Sequence, residues 1–239
     1  MNSNKKTANI TDTSPRQAAI IAGIGYLISF VGVIFADIMG GNLVVAGDAA
    51  ITAQNIMAND GPFRASIVGW FIAILGDMLR AWALYVFFRQ VNKSLALLSA
   101  WFMLVHDAIF GSALLNLVFA SELLSGAGLS IVFEPNQMHS LMTLFINGYN
   151  YGFQIGIFFF SFHLGIIGYL VLKSGYVPKM LGILLIVAFL GYLITSLDII
   201  LLLNYPKIIN QVLMVPNFIS ELSLIVWLVL KGGKGVTVK

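Results

Sequence analysis

A chain of 239 residues with 59% hydrophobic and only 10% charged side chains, at a mean hydropathy of +0.93, is not an ordinary soluble domain, in which about a quarter of residues are charged. Its length counts membrane crossings of about 20 helical residues each, not soluble domains. The lack of cysteine excludes disulfides, thiolate metal sites and a cysteine nucleophile, and no nucleic-acid motif or glycine-rich phosphate loop accompanies the net charge of +3.

Residues 1–17, "MNSNKKTANITDTSPRQ", form a polar tail. The apolar stretch after it runs for about 20 residues, longer than the roughly 7–15-residue core of a secretory signal. It reads as a retained first span, 18–38, with Asp37 at its end. In "VVAGDAAITAQNIMANDGP", Asp48 is placed to cap a short helix that stops near Asn59-Asp60-Gly61-Pro62, lying on the outer surface. The second span, 63–89, carries Asp77 and Arg80, and the third, 94–121, carries His106 and Asp107. The fourth, 138–172, is too long for a straight crossing; it is expected to begin outside the hydrocarbon near His139 and to bend around Gly148, and it carries His163. The fifth, 178–203, holds Asp198 towards its outer end. The sixth, 208–231, contains Pro216 and Glu221, and the proline predicts a kink with 208–215 as an outer half-helix. Residues 232–239 are a basic tail. The expectation is an all-α, polytopic bundle of six transmembrane helices forming one domain over 18–231.

Basic residues set its orientation. Lys5, Lys6, Arg16, Arg89, Lys93, Lys173, Lys179, Lys231, Lys234 and Lys239 all fall on one side of six crossings, and only Arg64 and Lys207 on the other. The positive-inside rule then puts both termini in the cytoplasm, within the cell membrane. That distribution explains the pI near 9.1 without a nucleic-acid partner. The sequon at Asn9 falls on the inner side and is set aside.

Three stretches, "GDAAITAQNIMANDGPFR", "FFFSFHLGIIGYLVLKSGYVPKMLGILL" and "PNFISELSLIVWLVLKG", are together similar to a bacterial family of six-span membrane proteins catalogued as a domain of unknown function, number four-three-eight-six in that series. The likeness extends from about Ala18 to Gly232. It implies the same topology and lends no activity or catalytic residue. Members of that family carry an acidic residue in the fifth span at a place nearer Thr195 than Asp198, so the resemblance weakens a role for Asp198.

Chemistry must therefore be argued from the residues. Asp77, Arg80, His106, Asp107, His163 and Glu221 lie well inside their spans, where a charge costs roughly 2.5–3.5 kcal/mol on insertion scales. Such groups face the bundle interior and find partners, which predicts one shared polar centre. Asp77 and Arg80, three apart on one helix, can pair directly. Asp107 and Glu221 then face His106 and His163, so an acid is protonated, a histidine is charged or a cation is bound. Neighbouring positions differ by 100° around a helix, so His106 is expected to face the centre while Asp107 turns to an adjacent span. A purely structural reading, in which these pairs fix how spans pack, stays open.

On the fourth span Ser140, Thr143, Asn147, Asn150 and Gln154 form a polar stripe. Asn147, Asn150 and Gln154 are candidates to line an outward-facing cavity. Gly148, Gly152 and Gly156 form a separate row suited to close helix contact, with His163 nearer that row than Gln154. Trp70, Trp82, Trp101 and Trp227 read as lipid anchors and packing.

The favoured function is binding or moving a small molecule or cation at this centre. The alternatives are an intramembrane enzyme acting on a lipid-like substrate and a structural scaffold or sensor. His106, His163, Glu221 and Asp77 or Asp107 could ligate a metal, but no HExxH or His-x-x-x-His spacing supports one. Ser112, Ser161 and Ser196 have no diagnostic setting for a nucleophile. The partners implied are the lipid bilayer and a small apolar molecule or cation. Catalytic residues, cofactor and oligomeric state are left open.

Overall fold

The computed structural model describes residues 13–125, 133–201, 203 and 206–234, and the side chains of 207–211 and 214 are not described. Lys5, Lys6, Asn9 and Lys239 lie outside the described residues, as does the side chain of Lys207. Among the described residues the chain forms seven helices and no strand: α1 (Pro15–Gly40), α2 (Ala49–Ala58), α3 (Asp60–Phe88), α4 (Lys93–Leu124), α5 (Pro135–Ser174), α6 (Lys179–Ile200) and α7 (Lys207–Leu230).

Local chemistry fixes the boundaries. Ser14 and Gln17 form a capping box at the start of α1, and Asp48 accepts from the Ile51 N–H at the start of α2. Asn92 caps α4 through the Leu95 N–H. α5 begins at Pro135 in the first turn, with a Glu134–Gln137 capping box, and ends at Gly175 in the left-handed region, φ 72°.

α1, α3, α4, α5 and α6 are long and apolar enough to cross a membrane, whereas the apolar part of α7, Val215–Leu230, is shorter. At 1.5 Å per residue the 40 residues of α5 extend about 60 Å, twice the hydrocarbon thickness. α5 is one helix from end to end, so Gly148 does not interrupt it; α7 likewise continues through Pro216. The outer wall is studded with exposed apolar side chains such as Ile38, Leu75, Leu144 and Met180, as a lipid-facing surface requires.

The six long helices close into a ring: α1 packs on α3, α3 on α4, α4 on α5, α5 on α6, α6 on α7, and α7 returns to α1. Glycine makes the α1–α3 seam. A Cβ on Gly25 would lie 2.7 Å from the Arg80 backbone nitrogen, and one on Gly32 would lie 2.6 Å from that of Ala73. Gly69 and Gly76 answer from α3, so the two backbones touch along two turns in the small-residue mode common between membrane helices. At the end of the ring where α1 begins and α7 ends, Arg16 of α1 donates to the carbonyls of Leu228, Val229 and Gly232 at 3.2, 2.7 and 2.8 Å. It thereby satisfies carbonyls that the end of α7 leaves without helical partners.

One buried cluster, including Leu84, Phe87, Phe88, Leu164, Leu224 and Leu228, fills the ring at that end. A second, including Ile56, Phe63, Leu114, Leu117 and Met142, packs α2 against α3, α4 and α5 at the other. The helices part between the two clusters.

Candidate functional site

A cavity of about 870 Å³ occupies the ring, within the range of small-molecule sites. Every long helix contributes one stripe to it. From α1 come Tyr26, Ser29, Phe30, Val33, Ile34 and Asp37, and from α3 Trp70, Ala73, Asp77 and Arg80. α4 gives His106 and Phe110, and α5 gives Tyr149, Asn150, Phe153, Gln154, Ile157 and Phe160. α6 supplies Tyr192 and Thr195, and α7 Asn217, Phe218, Glu221, Leu222 and Ile225. The spacing within each stripe is three or four residues, the signature of one helix face.

Arg80 is the organising group at the cavity's deep end. It is buried, with Nε 3.0 Å from Asp77 Oδ1 and Nη1 3.6 Å from Glu221 Oε2. Its guanidinium lies over the Tyr26 ring, 4.4 Å from the centroid, and over Phe160 at 5.2 Å. Tyr192 donates to Glu221 Oε1 at 2.8 Å, which fixes the second carboxylate from α6. Four helices thus hold one cation between two acids and two rings. The Asp77–Arg80 pair is close by distance without being aligned as a hydrogen bond.

Beside this group, Asp77, His106 and Asp107 gather, each offering one ligand atom within 4.8 Å of the others, and all three are buried. His106 lines the cavity and is flanked by Phe110 and Phe160, whereas Asp107 is not among the lining residues. The α4–α5 seam explains the ring's position, since a Cβ on Gly156 would lie 3.0 Å from His106 Nδ1. The same seam has Gly152 against Ala113 and Gly148 against Asn116.

The other candidates are more scattered. His163 sits in the α4–α5 seam, fully buried, with Nδ1 2.9 Å from Ser99 Oγ and 3.1 Å from the Ser99 carbonyl. It neither lines the cavity nor joins the Asp77–His106–Asp107 group. Of the outer stripe on α5, Asn150 and Gln154 line the cavity and Asn147 is exposed outside it. Ser140 and Thr143 bond back to the carbonyls of Asn136 and His139 on their own helix. Asp198 is buried in α6 away from the lining.

Several lining residues escaped the sequence reading. Asn217 lies one turn from Glu221 on α7, and Thr195 lies one turn from Tyr192 on α6. Tyr26 and Asp37 mark the two ends of the α1 stripe. A search one helical turn either side of each ionisable residue would have found Asn217. Trp70 differs from the other tryptophans: it faces inward, edge-on to Phe110 at 5.4 Å, while Trp82 and Trp101 face outward and Trp227 packs near Phe87.

Tyr26 Oη, Gln154 Oε1, Asn217 Oδ1 and His106 Nδ1 are buried without a hydrogen-bond partner among the described residues. All four belong to cavity-lining residues. An unpaired buried polar atom costs about 1–3 kcal/mol, so these four atoms mark where polar character is concentrated on an otherwise largely apolar and aromatic wall.

A family model described as "Domain of unknown function (DUF4386)" matches residues 21–232. An uncharacterized protein of Archaeoglobus fulgidus is 32% identical over 185 residues, covering 77% of this chain and 94% of the relative. No solved structure gives a significant match.

Proposed function

The chain belongs to the DUF4386 family, whose description assigns no function, and from the site's chemistry we propose that it binds, and passes across the membrane, a small apolar molecule bearing positive charge. The carrying observation is the cavity's composition. Asp37, Asp77 and Glu221 line it against the single lining cation Arg80, whose charge Asp77 already meets at 3.0 Å. Aromatic faces such as Tyr26, Trp70, Phe110, Phe153 and Tyr192 make up much of the remaining wall. Rings and surplus carboxylate together suit an organic cation, because the ring faces attract positive charge without requiring it to be hydrated.

The reading is of six spans in the cell membrane with both termini cytoplasmic, α2 on the outer surface and the cavity reaching from mid-membrane towards that surface. The basic residues at the turns and termini support it. Trp70 provides the test. Titrating the purified protein with tetraphenylphosphonium should change tryptophan emission saturably, and the change should vanish in Trp70→Phe. Glu221→Gln should weaken the apparent affinity about tenfold or more, the scale of one lost charge-assisted contact. Neutral triphenylphosphine oxide should bind worse than the cation. A response that does not saturate, or one indifferent to Glu221→Gln, would refute the proposal.

A second reading, intramembrane catalysis on a lipid-like substrate, draws on the gathering of Asp77, His106 and Asp107, of which Asp77 and His106 line the cavity, where acid and base groups would reach a bound molecule.

A further inference from the structure

We propose that Asp77, His106 and Asp107 form a site for one divalent transition-metal ion of the zinc class, with its open position facing the cavity. The argument starts from Asp107. The residue is 5% exposed, in the middle of an apolar helix, yet both carboxylate oxygens lack a hydrogen-bond partner among the described residues. An ionised carboxylate in that state is costly unless something positive meets it. Arg80 does not bridge to it: its ion pairs run to Asp77 Oδ1 and Glu221 Oε2. What Asp107 does have nearby is a second carboxylate and an imidazole, each with a ligand atom within 4.8 Å of the others.

The distances suit an ion after a small adjustment. Nitrogen and carboxylate oxygen bind zinc at about 2.0–2.2 Å, so the ligands of one tetrahedral ion stand about 3.4 Å apart. Closing the group from its 4.8 Å limit needs each ligand atom to move by about 0.8 Å at most, within reach of side-chain rotation. The Asp77–Arg80 pair runs through Oδ1, which leaves Oδ2 as the oxygen open to the metal. Charge balance agrees. Asp77, Asp107 and Glu221 carry three negative charges against Arg80, and a divalent ion beside a neutral His106 brings the sum to zero. One imidazole and two carboxylates select a borderline ion such as zinc over the all-oxygen cages preferred by calcium or magnesium. Because Asp77 and His106 line the cavity, the fourth coordination position points into it, the arrangement of a metal that receives a ligand.

The organic-cation reading turns on Glu221, which here contributes charge but no ligand atom, so the two readings are tested at different residues. The test uses tag-free protein dialysed against zinc and then against metal-free buffer, with metal counted by mass spectrometry. About one zinc per chain is expected. Asp107→Asn and His106→Ala should each lower retained zinc at least tenfold, while Glu221→Gln and His139→Ala should leave it unchanged. Cobalt loading of the wild-type protein supplies a second readout that needs no variant: the intense visible bands of four-coordinate Co²⁺ are expected. Retention near zero together with no cobalt spectrum would overturn the site, with Asp107 then simply protonated. Zinc that persists in both ligand variants, or that leaves with His139, would also overturn it.

Discussion

Arg80→Met tests the electrostatic organisation of the cavity's deep end. The substitution keeps much of the aliphatic volume and removes the guanidinium that lies 3.0 Å from Asp77, 3.6 Å from Glu221 and 4.4 Å from the Tyr26 ring centroid. Removing one partner of a buried ion pair costs roughly 3–5 kcal/mol, because the other charge stays buried and unmet. Here two carboxylates are left behind, so the upper part of that range is expected. The decisive comparison is the triple variant Arg80→Met, Asp77→Asn, Glu221→Gln. With no charge left to satisfy, it should recover more than half of the loss, since a neutral replacement for a buried ion pair is often close to neutral in stability. Unfolding in mixed detergent micelles, followed by far-ultraviolet circular dichroism, gives the three free energies. If Arg80→Met stays within about 1 kcal/mol of the parent, or the triple is no more stable than the single variant, the deep end is not held by charge.

Two further outcomes are expected. Gly76→Ala would press a methyl against the Ser29 backbone nitrogen and place it 2.6 Å from the Gly25 carbonyl oxygen where ordinary contact begins at 3.4 Å, so the α1–α3 seam must open by more than about 0.8 Å; the cost should be about 1–3 kcal/mol, with Gly61→Ala, which meets nothing within 4 Å, as the neutral control, and equal unfolding midpoints would contradict the seam. Because the chain contains no cysteine, single cysteines report sidedness directly: Asn59→Cys should react with an impermeant maleimide in intact cells and Gln90→Cys only after lysis, and the reverse pattern would invert the orientation.

Helix positions were legible because each depends on neighbours in sequence. The Asp48 cap and the apolar runs predicted α2 and the long helices to within a few residues, and Gly148 leaves α5 continuous, its missing side chain serving the contact with Asn116. Arg80 and Asp77 were legible as a pair from their spacing alone. What joins Glu221 to them was not, because it depends on α7 and α3 flanking α1 on either side, and packing order leaves no local trace. His163 shows the same limit: its type and depth matched His106, but its rotation about α5 turns it to Ser99. Asn217 and Tyr26 were passed over because neutral polar groups in a span lack the cost that makes a charge conspicuous.

The closure of the ring by its first and last long helices has a consequence for biosynthesis. α1 emerges from the ribosome well before α7, yet the wall it completes waits for α7. Until then Arg80 has Asp77 but not Glu221, and the carbonyls that Arg16 will grip do not yet exist. A chain stopped before α7 would present a buried-type arginine to lipid at an open flank. Docking of α7 is therefore the step that both seals the ring and completes the charge balance around Arg80.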